Sequence, residues 1–261
     1  MSESRWIPLE SNPDVFNSWA ATAGLVASQA QFEDIYGLDP ELLGMVSEGV
    51  KAVTLLFPCS GTIATKRKEE DEKIAAQGQH PIDPTIFWMK QTIVNACGTM
   101  GLLHALINSD VTFAPESPLA RFIEECKDKT PLERVKILEE TSLFERIHTS
   151  AATSGQTTVP EDLDTYLHFT CFVKAPDATA RETGTHARGW RVIELDGGRN
   201  GPIDRGECTN LLQVDGFDRF HDARLISVPD LQDVAKFVKE HYIKESKSVN
   251  FSMMALCSGQ D

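Results

Sequence analysis

The sequence lacks an apolar run of membrane-spanning length: stretches such as Ala52 to Phe57 stop far short of the roughly 18 residues a bilayer helix needs. Nor does Met1-Ser2-Glu3-Ser4-Arg5 begin in the basic-then-apolar manner of a secretory signal. A protein that is neither exported nor held in a membrane is expected, with the cytoplasm as its compartment. Basic charge is also scarce. Lys and Arg number 25 against 39 Asp and Glu, a net charge of −14, so a nucleic-acid surface, which must neutralise phosphates, is not expected. An acidic surface keeps a protein soluble and can also draw in a basic partner. The six cysteines, at 59, 97, 126, 171, 208 and 257, form no Cys-x-x-Cys pair and have no histidine at ligand spacing. That excludes the usual zinc patterns, and neither metal nor cofactor is expected. Without a secretory signal they are expected to be reduced thiols, most of them small buried hydrophobes, with Cys171 and Cys257 inside apolar strand-like runs.

What is present is ordinary globular material, 261 residues with 41% hydrophobic and 25% charged side chains, enough for one large domain or two small ones. No internal repeat or break in composition suggests a second unit, so one domain over 1–261 is expected. Pro13 to Ala23 reads as a helix capped by Asn12, and Asp39-Pro40-Glu41-Leu42-Leu43 opens another. Phe32 to Tyr36 reads as a short edge segment. Ala52 to Phe57, stopped by Pro58, reads as a strand buried on both faces and therefore mid-sheet. Arg67 to Lys73 reads as a solvated charge run with no further role. A buried helix begins near Cys97, and Phe122 to Phe144 reads as two helices meeting at Pro131. Thr149 to Asp164 is mostly Ser, Thr, Ala, Gly and acids, the composition of a long mobile loop. Tyr166 to Val173 and Trp190 to Leu195 read as antiparallel strands joined by the polar stretch Ala175 to Arg188. A helix around Leu231 to Tyr242 and a strand Asn250 to Cys257 complete the chain.

Chemistry is proposed first by Cys97. If Asn95 caps the following helix, the thiol falls in its first turn, where free amides and the helix dipole favour a thiolate. The alternative is a buried structural thiol. His104 shares the helical face, but seven steps of about 1.5 Å carry it roughly 10 Å away, too far to bond the sulfur. His168, on a strand, is the better base, the alternative being a core histidine. Facing residues of an antiparallel hairpin share one centre, and a pairing of His168 with Asp196 centres on position 182, close to the middle of the Ala175–Arg188 connection. Asp196 can thus orient the imidazole, or it is simply a turn residue before Gly197-Gly198. Gln91, six positions before Cys97, can aim its amide at an oxyanion or lie in a solvated loop.

Gln91-Thr92-Ile93-x-Asn95-Ala96-Cys97-Gly98-Thr99, His168-Phe169 and Glu194-Leu195-Asp196-Gly197 together resemble the active-site motifs of the ubiquitin C-terminal hydrolases, specifically the short single-domain members. The resemblance extends to Arg5–Pro13, Tyr36–Leu43, Leu55–Pro58, Gly155–Thr157 and Phe251–Leu256. It implies an α/β, papain-like fold: a central, mostly antiparallel sheet flanked by helices, in a single knotted domain. A crossover loop, at 149–164 here, would span the active site. It also implies a cysteine-dependent deubiquitinase acting after the C-terminal glycine of ubiquitin through an acyl-enzyme. Cys97 would be the nucleophile, His168 the base and then the acid, Asp196 its orienter and Gln91 an oxyanion donor. The implied partner is ubiquitin, with Nedd8 as a related modifier, and a monomer is expected. Residues 175–188 exceed the family's usual turn and read as a surface insertion. Two other classes remain, a catalytically inactive ubiquitin-binding module and a thiol redox protein. The second has no resolving cysteine at motif spacing.

Overall fold

Asn12 starts the first helix through its side chain, which accepts the Asp14 N–H at 2.9 Å, while Pro13 fills a first-turn position that needs no N–H. This helix, α1 (Pro13–Ala23), is followed by β1 (Ala30–Asp34), α2 (Pro40–Leu43), β2 (Ala52–Pro58), α3 (Gly61–Gln77) and α4 (Cys97–Ile107). Next come α5 (Pro118–Glu125), α6 (Pro131–Glu140), α7 (Ser142–Thr153), β3 (Leu167–Pro176), β4 (Trp190–Leu195) and β5 (Ile203–Glu207). The last elements are α8 (Val234–Val238), a π-helical turn (Lys239–Ile243) and β6 (Ser252–Ser258). The structure is a computed structural model that describes residues 5–159, 161–179, 189–207 and 234–259.

The six strands form one sheet in the order β1-β6-β2-β3-β4-β5, every pairing antiparallel. With helices on both faces, this is the α/β class that the sequence implied. β2 lies between β6 and β3. Its Val53, Leu55 and Phe57 enter the core shared with α3, α8 and Tyr242, while Ala52 and Leu56 face the larger core under α1 and α4–α7. A strand covered on both sides has no polar face, which is why it reads as a continuous apolar run. β1 is an edge strand, as expected.

Several expectations change. The stretch around Pro131 holds three helices, because Pro118 and Pro131 each begin one and Ser142 a third. Thr149 to Thr153 belong to α7, where Ala151 and Ala152 are buried beside Ile147. Loop-like composition there is overridden by packing of an apolar stripe. The loop proper is therefore Ser154–Asp164, of which residue 160 lies outside the described residues. Ala175 and Pro176 extend β3 rather than leaving the sheet, and 180–188 of the insertion lie outside the described residues. So do Cys208 and residues 231–233 of the expected last helix. Among the described residues no helix is long and apolar enough to cross a membrane.

Candidate active site

Cys97 is the first residue of α4 and is 8% exposed. It therefore sits under the unpaired first-turn amides and the positive end of the helix dipole. Asn95 is not the cap. The capping position is Ala96, with no side-chain bond, and Asn95 adopts the left-handed region at φ 65°. Its amide instead donates to the Trp6 carbonyl at 3.1 Å and the Leu163 carbonyl at 3.0 Å. The side chain is drawn away from the helix because the N-terminal segment and the end of the 154–164 loop each bring it an acceptor. Gly98 allows this approach, since a Cβ there would lie 2.9 Å from Leu9. Behind it, Thr99 Oγ1 lies 2.8 Å from His148 Nδ1, and His148 Nε2 lies 2.6 Å from the Ile7 carbonyl. Burial lowers the His148 pKa to about 4, so the neutral ring donates to Ile7 and accepts from Thr99, tying the N-terminal segment to α4.

His168 and Asp196 meet, though not by direct facing. The β3–β4 register runs from Cys171 opposite Leu195 to Pro176 opposite Trp190, one position later in its centre than the sequence argument used. Continued past the strand end, it sets Asp196 opposite Thr170. A shift of two along one strand preserves the face, so the diagonal neighbours remain within reach. His168 Nε2 lies 2.7 Å from Asp196 Oδ1, which also accepts the Gly198 N–H at 2.6 Å. A side chain at Gly198 would press on both partners, its Cβ 3.0 Å from Asp196 Oδ1 and 3.3 Å from His168 Nε2. With Nε2 engaged, Nδ1 is left for the Cys97 thiol, which lines the same cleft as His168 and helps to raise the ring's pKa. Burial works to lower the His168 pKa, but the charge and hydrogen bond of Asp196, joined by the thiol, hold it well above its ordinary value. Burial likewise works to raise Asp196, and His168 and Arg67 overcome it, keeping the carboxylate ionised.

Gln91 lines the same cleft, against Gly197. Its N–H donates to the Gly197 carbonyl at 2.9 Å, and its Nε2 donates to Ile93 O at 3.0 Å. One amide hydrogen is thereby spent on fixing the plane and the second remains. Gln91, Asn95, Cys97 and His168 share a cleft of about 330 Å³ with Thr165 and Leu167. The Asp196 loop is fastened to the strand of chain carrying Gln91: Trp88 Nε1 donates to Asp196 O at 3.0 Å, and Lys90 Nζ to Gly198 O and Arg199 O at 3.1 and 2.6 Å. His104 is outside the cleft, fully buried, with Nε2 accepting the Met89 N–H at 3.2 Å, and burial brings its pKa to about 4. Among the other thiols, burial pushes Cys126 up to about 11 and Cys171 and Cys257 higher still, which leaves them protonated and inert.

The charge run Arg67 to Lys73 is not merely solvated. It lies within α3, whose Ile63, Arg67, Glu70, Asp71 and Ile74 share the less exposed face. Arg67 Nη2 pairs with Asp196 Oδ2, and Nη1 bonds Glu194 Oε1 at 3.1 Å and Tyr242 Oη at 2.7 Å. Glu194 is completely buried; burial acts to raise its pKa, yet Arg205, Arg67 and Arg199 bring it down to about 2. The missed signal was the i, i+3, i+4 spacing of Arg67, Glu70 and Asp71, which puts opposite charges on one helical face. Among the described residues no group of three or more His, Cys, Asp or Glu side chains could hold a metal ion.

The family model for ubiquitin carboxyl-terminal hydrolase, family 1, matches residues 6–220. Ubiquitin carboxyl-terminal hydrolase 3 of Arabidopsis thaliana is 36% identical over 257 residues, 98% of this chain and 95% of that protein. Ubiquitin carboxyl-terminal hydrolase isozyme L1 of Rattus norvegicus is 32% identical over 252 residues, 96% and 97% of the two chains. Among solved structures, the Trichinella spiralis UCH37 catalytic domain bound to ubiquitin vinyl methyl ester matches with a TM-score of 0.64 at 21% identity, covering 100% of this chain and 98% of that one. With fold and near full-length sequence similarity in agreement, this chain belongs to ubiquitin carboxyl-terminal hydrolase family 1, a family of cysteine-dependent hydrolases.

Proposed function

We propose that the chain is a deubiquitinase that hydrolyses the bond after the C-terminal glycine of ubiquitin, with Cys97, His168, Asp196 and Gln91 as its catalytic group. The observation that carries this reading is the His168–Asp196 hydrogen bond beside Cys97, the first residue of a helix, with Cys97 and His168 lining one cleft. The Cys97 thiolate attacks the glycine carbonyl, and the carbonyl π electrons move to oxygen. The oxyanion is met by an amide hydrogen of Gln91 and by backbone N–H at the start of α4. The C–N bond breaks as the His168 imidazolium passes its proton to the leaving amine, giving a thioester. Water, deprotonated by the now neutral His168, attacks the thioester and releases ubiquitin's carboxylate and the thiolate. Residues 1–261 act as one catalytic domain in this reading. The net charge of −14 favours capture of ubiquitin's basic tail.

The reading is tested with ubiquitin carrying a C-terminal electrophile: mass spectrometry is expected to find one adduct, on Cys97. An adduct on another cysteine, or none, would sink it. A Nedd8 electrophile run beside it reads out acceptance of the related modifier. Gln91→Ala is expected to lower kcat by about 10²–10³-fold with ubiquitin affinity unchanged; a change within twofold would remove Gln91 from the catalytic group.

Substrate size is set, in this reading, by the segment Ser154–Asp164. Thr157 N–H donates to the Glu10 carboxylate at 2.9 Å, Asn95 holds Leu163 O, and Arg5 pairs with Asp164 at 2.7 Å. Tied at both ends beside the cleft, such a strap admits a slender tail and a small or unfolded leaving group, and rejects bulk by exclusion. Inserting several Gly-Ser residues after Thr158 adds little closure entropy. Bulky folded conjugates are then expected to become substrates while a small amide is cleaved as before. Unchanged size selectivity would show that the segment is not the gate.

A further inference from the structure

Asp196 lies just past β4, where a carboxylate has a broad, roughly two-fold torsion about its last bond and needs an outside partner to fix its plane. Oδ1 is occupied by His168 and the Gly198 N–H. Oδ2 faces the other way, onto Arg67 Nη2. The guanidinium is itself held from several sides: Nη1 bonds Glu194 and the hydroxyl of Tyr242, and the group lies over the Phe57 ring, 4.9 Å from its centroid. Tyr242 also donates to Glu194 at 2.7 Å, from a π-helical turn whose wider winding brings it into the sheet-side core. Glu194 accepts further bonds from Thr170 at 3.1 Å and Arg205 at 2.7 Å.

The charges balance as one network. Arg199 pairs with Glu70 and Asp71, Arg205 with Glu70 and Glu194, and Arg67 with Glu194 and Asp196. Three cations thus meet four anions, which leaves one negative charge, matching one imidazolium at His168. Arg67 can therefore clamp Asp196 without setting an uncompensated positive charge beside the imidazolium, because the carboxylates of the network neutralise it.

We infer that Arg67 is a positioning residue of the reaction: with its fork braced by Glu194 and Tyr242, it fixes the Asp196 carboxylate in the plane that orients His168 toward Cys97. The inference rests on the proposed role of Cys97, His168 and Asp196. Arg67 is absent from the lining of the cleft that holds Cys97 and His168, and works only through Asp196. A lysine, a single point of charge on a flexible stem, cannot span both carboxylates as the planar fork does.

The test is a double-mutant cycle on the full chain, read as hydrolysis of a ubiquitin C-terminal amide. Arg67→Gln is expected to lower kcat roughly 10- to 100-fold at unchanged KM, and Arg67→Lys to recover only part of the loss. In an Asp196→Asn background Arg67→Gln is expected to cost less than about twofold, since the group it acts through is already lost. A merely structural role would multiply the two losses, and that result overturns the inference. Thermal melting checks that each variant folds; if Arg67→Gln does not, the same cycle is run with Arg67→Lys and judged by the same criterion. The two readings fail differently. An Asp196→Asn chain as active as the parent sinks the site assignment, whereas a damaging Asp196→Asn with multiplicative Arg67 losses sinks the Arg67 role alone.

Discussion

Cys97→Ser is expected to lower hydrolysis of a ubiquitin C-terminal amide by roughly 10⁴–10⁶-fold while leaving ubiquitin affinity intact. The size follows from the chemistry of the position. At the first residue of α4 the sulfur lies at the unpaired helix amides and lines the same cleft as His168, which serves as its proton acceptor in the proposed reaction. A serine hydroxyl, far less acidic, leaves attack to a neutral nucleophile. The isosteric change removes no packing, so steady-state kinetics and calorimetric titration with ubiquitin separate the loss of chemistry from loss of binding. Cys59, half-buried at the end of β2, is the control: Cys59→Ser is expected to retain turnover. Near wild-type activity in Cys97→Ser would end the assignment.

His168→Ala is expected to be about as damaging as loss of the thiol, and Asp196→Asn about ten- to a hundredfold milder, because the base remains when only its orienter is changed. The pH dependence carries the sharper test. Burial would lower the His168 pKa, and Asp196 more than reverses this, so the ring stays protonated well above pH 6.5 in the folded chain. A raised folded pKa means that the stability contributed by the charged ring is fully present below its unfolded value of about 6.5 and is lost as pH rises through the folded pKa. Activity follows the same limb: kcat/KM of the parent falls on the alkaline side as the imidazolium that pairs with the thiolate loses its proton. Asp196→Asn removes the largest influence raising that pKa, so its alkaline limb is expected at lower pH. The rate of Cys97 alkylation against pH, measured beside kcat/KM, reports the same pair without turnover. An alkaline limb that does not move in Asp196→Asn would show that the aspartate does not set the charge of His168.

The parts of the molecule legible in sequence were those whose determinants lie within one turn or one strand of each other. Asn12-Pro13 with Gly24 delimits α1 through local caps, and Ala52 to Phe57 reads as a buried strand because its apolar residues meet a core on one face or the other. The four residues Gln91, Cys97, His168 and Asp196 could be picked out because their motifs are local even though their meeting is not. Their pairing was less accurate: midpoint arithmetic found the correct strands and the correct face, but missed the register, because the centre of a long connection need not coincide with the centre of the ladder. Asn95 was misread for a similar reason. A helix start is a local signal, but the acceptors that claim its amide, Trp6 and Leu163, come from 89 and 68 positions away.

By itself, then, the sequence determined the helix that carries Cys97 and the strands that carry His168 and precede Asp196. The tertiary structure alone decided what surrounds Asp196. Arg67 and Asp196 are 129 positions apart, and Arg67 and Tyr242 175. A charged residue on a helix looks the same in sequence whether it faces water or a buried carboxylate: the i, i+3, i+4 spacing of Arg67, Glu70 and Asp71 shows a shared face but not what covers it. Only the packing of α3 over the end of β4 removes the water, and removal of water turns a run of surface charges into a buried clamp.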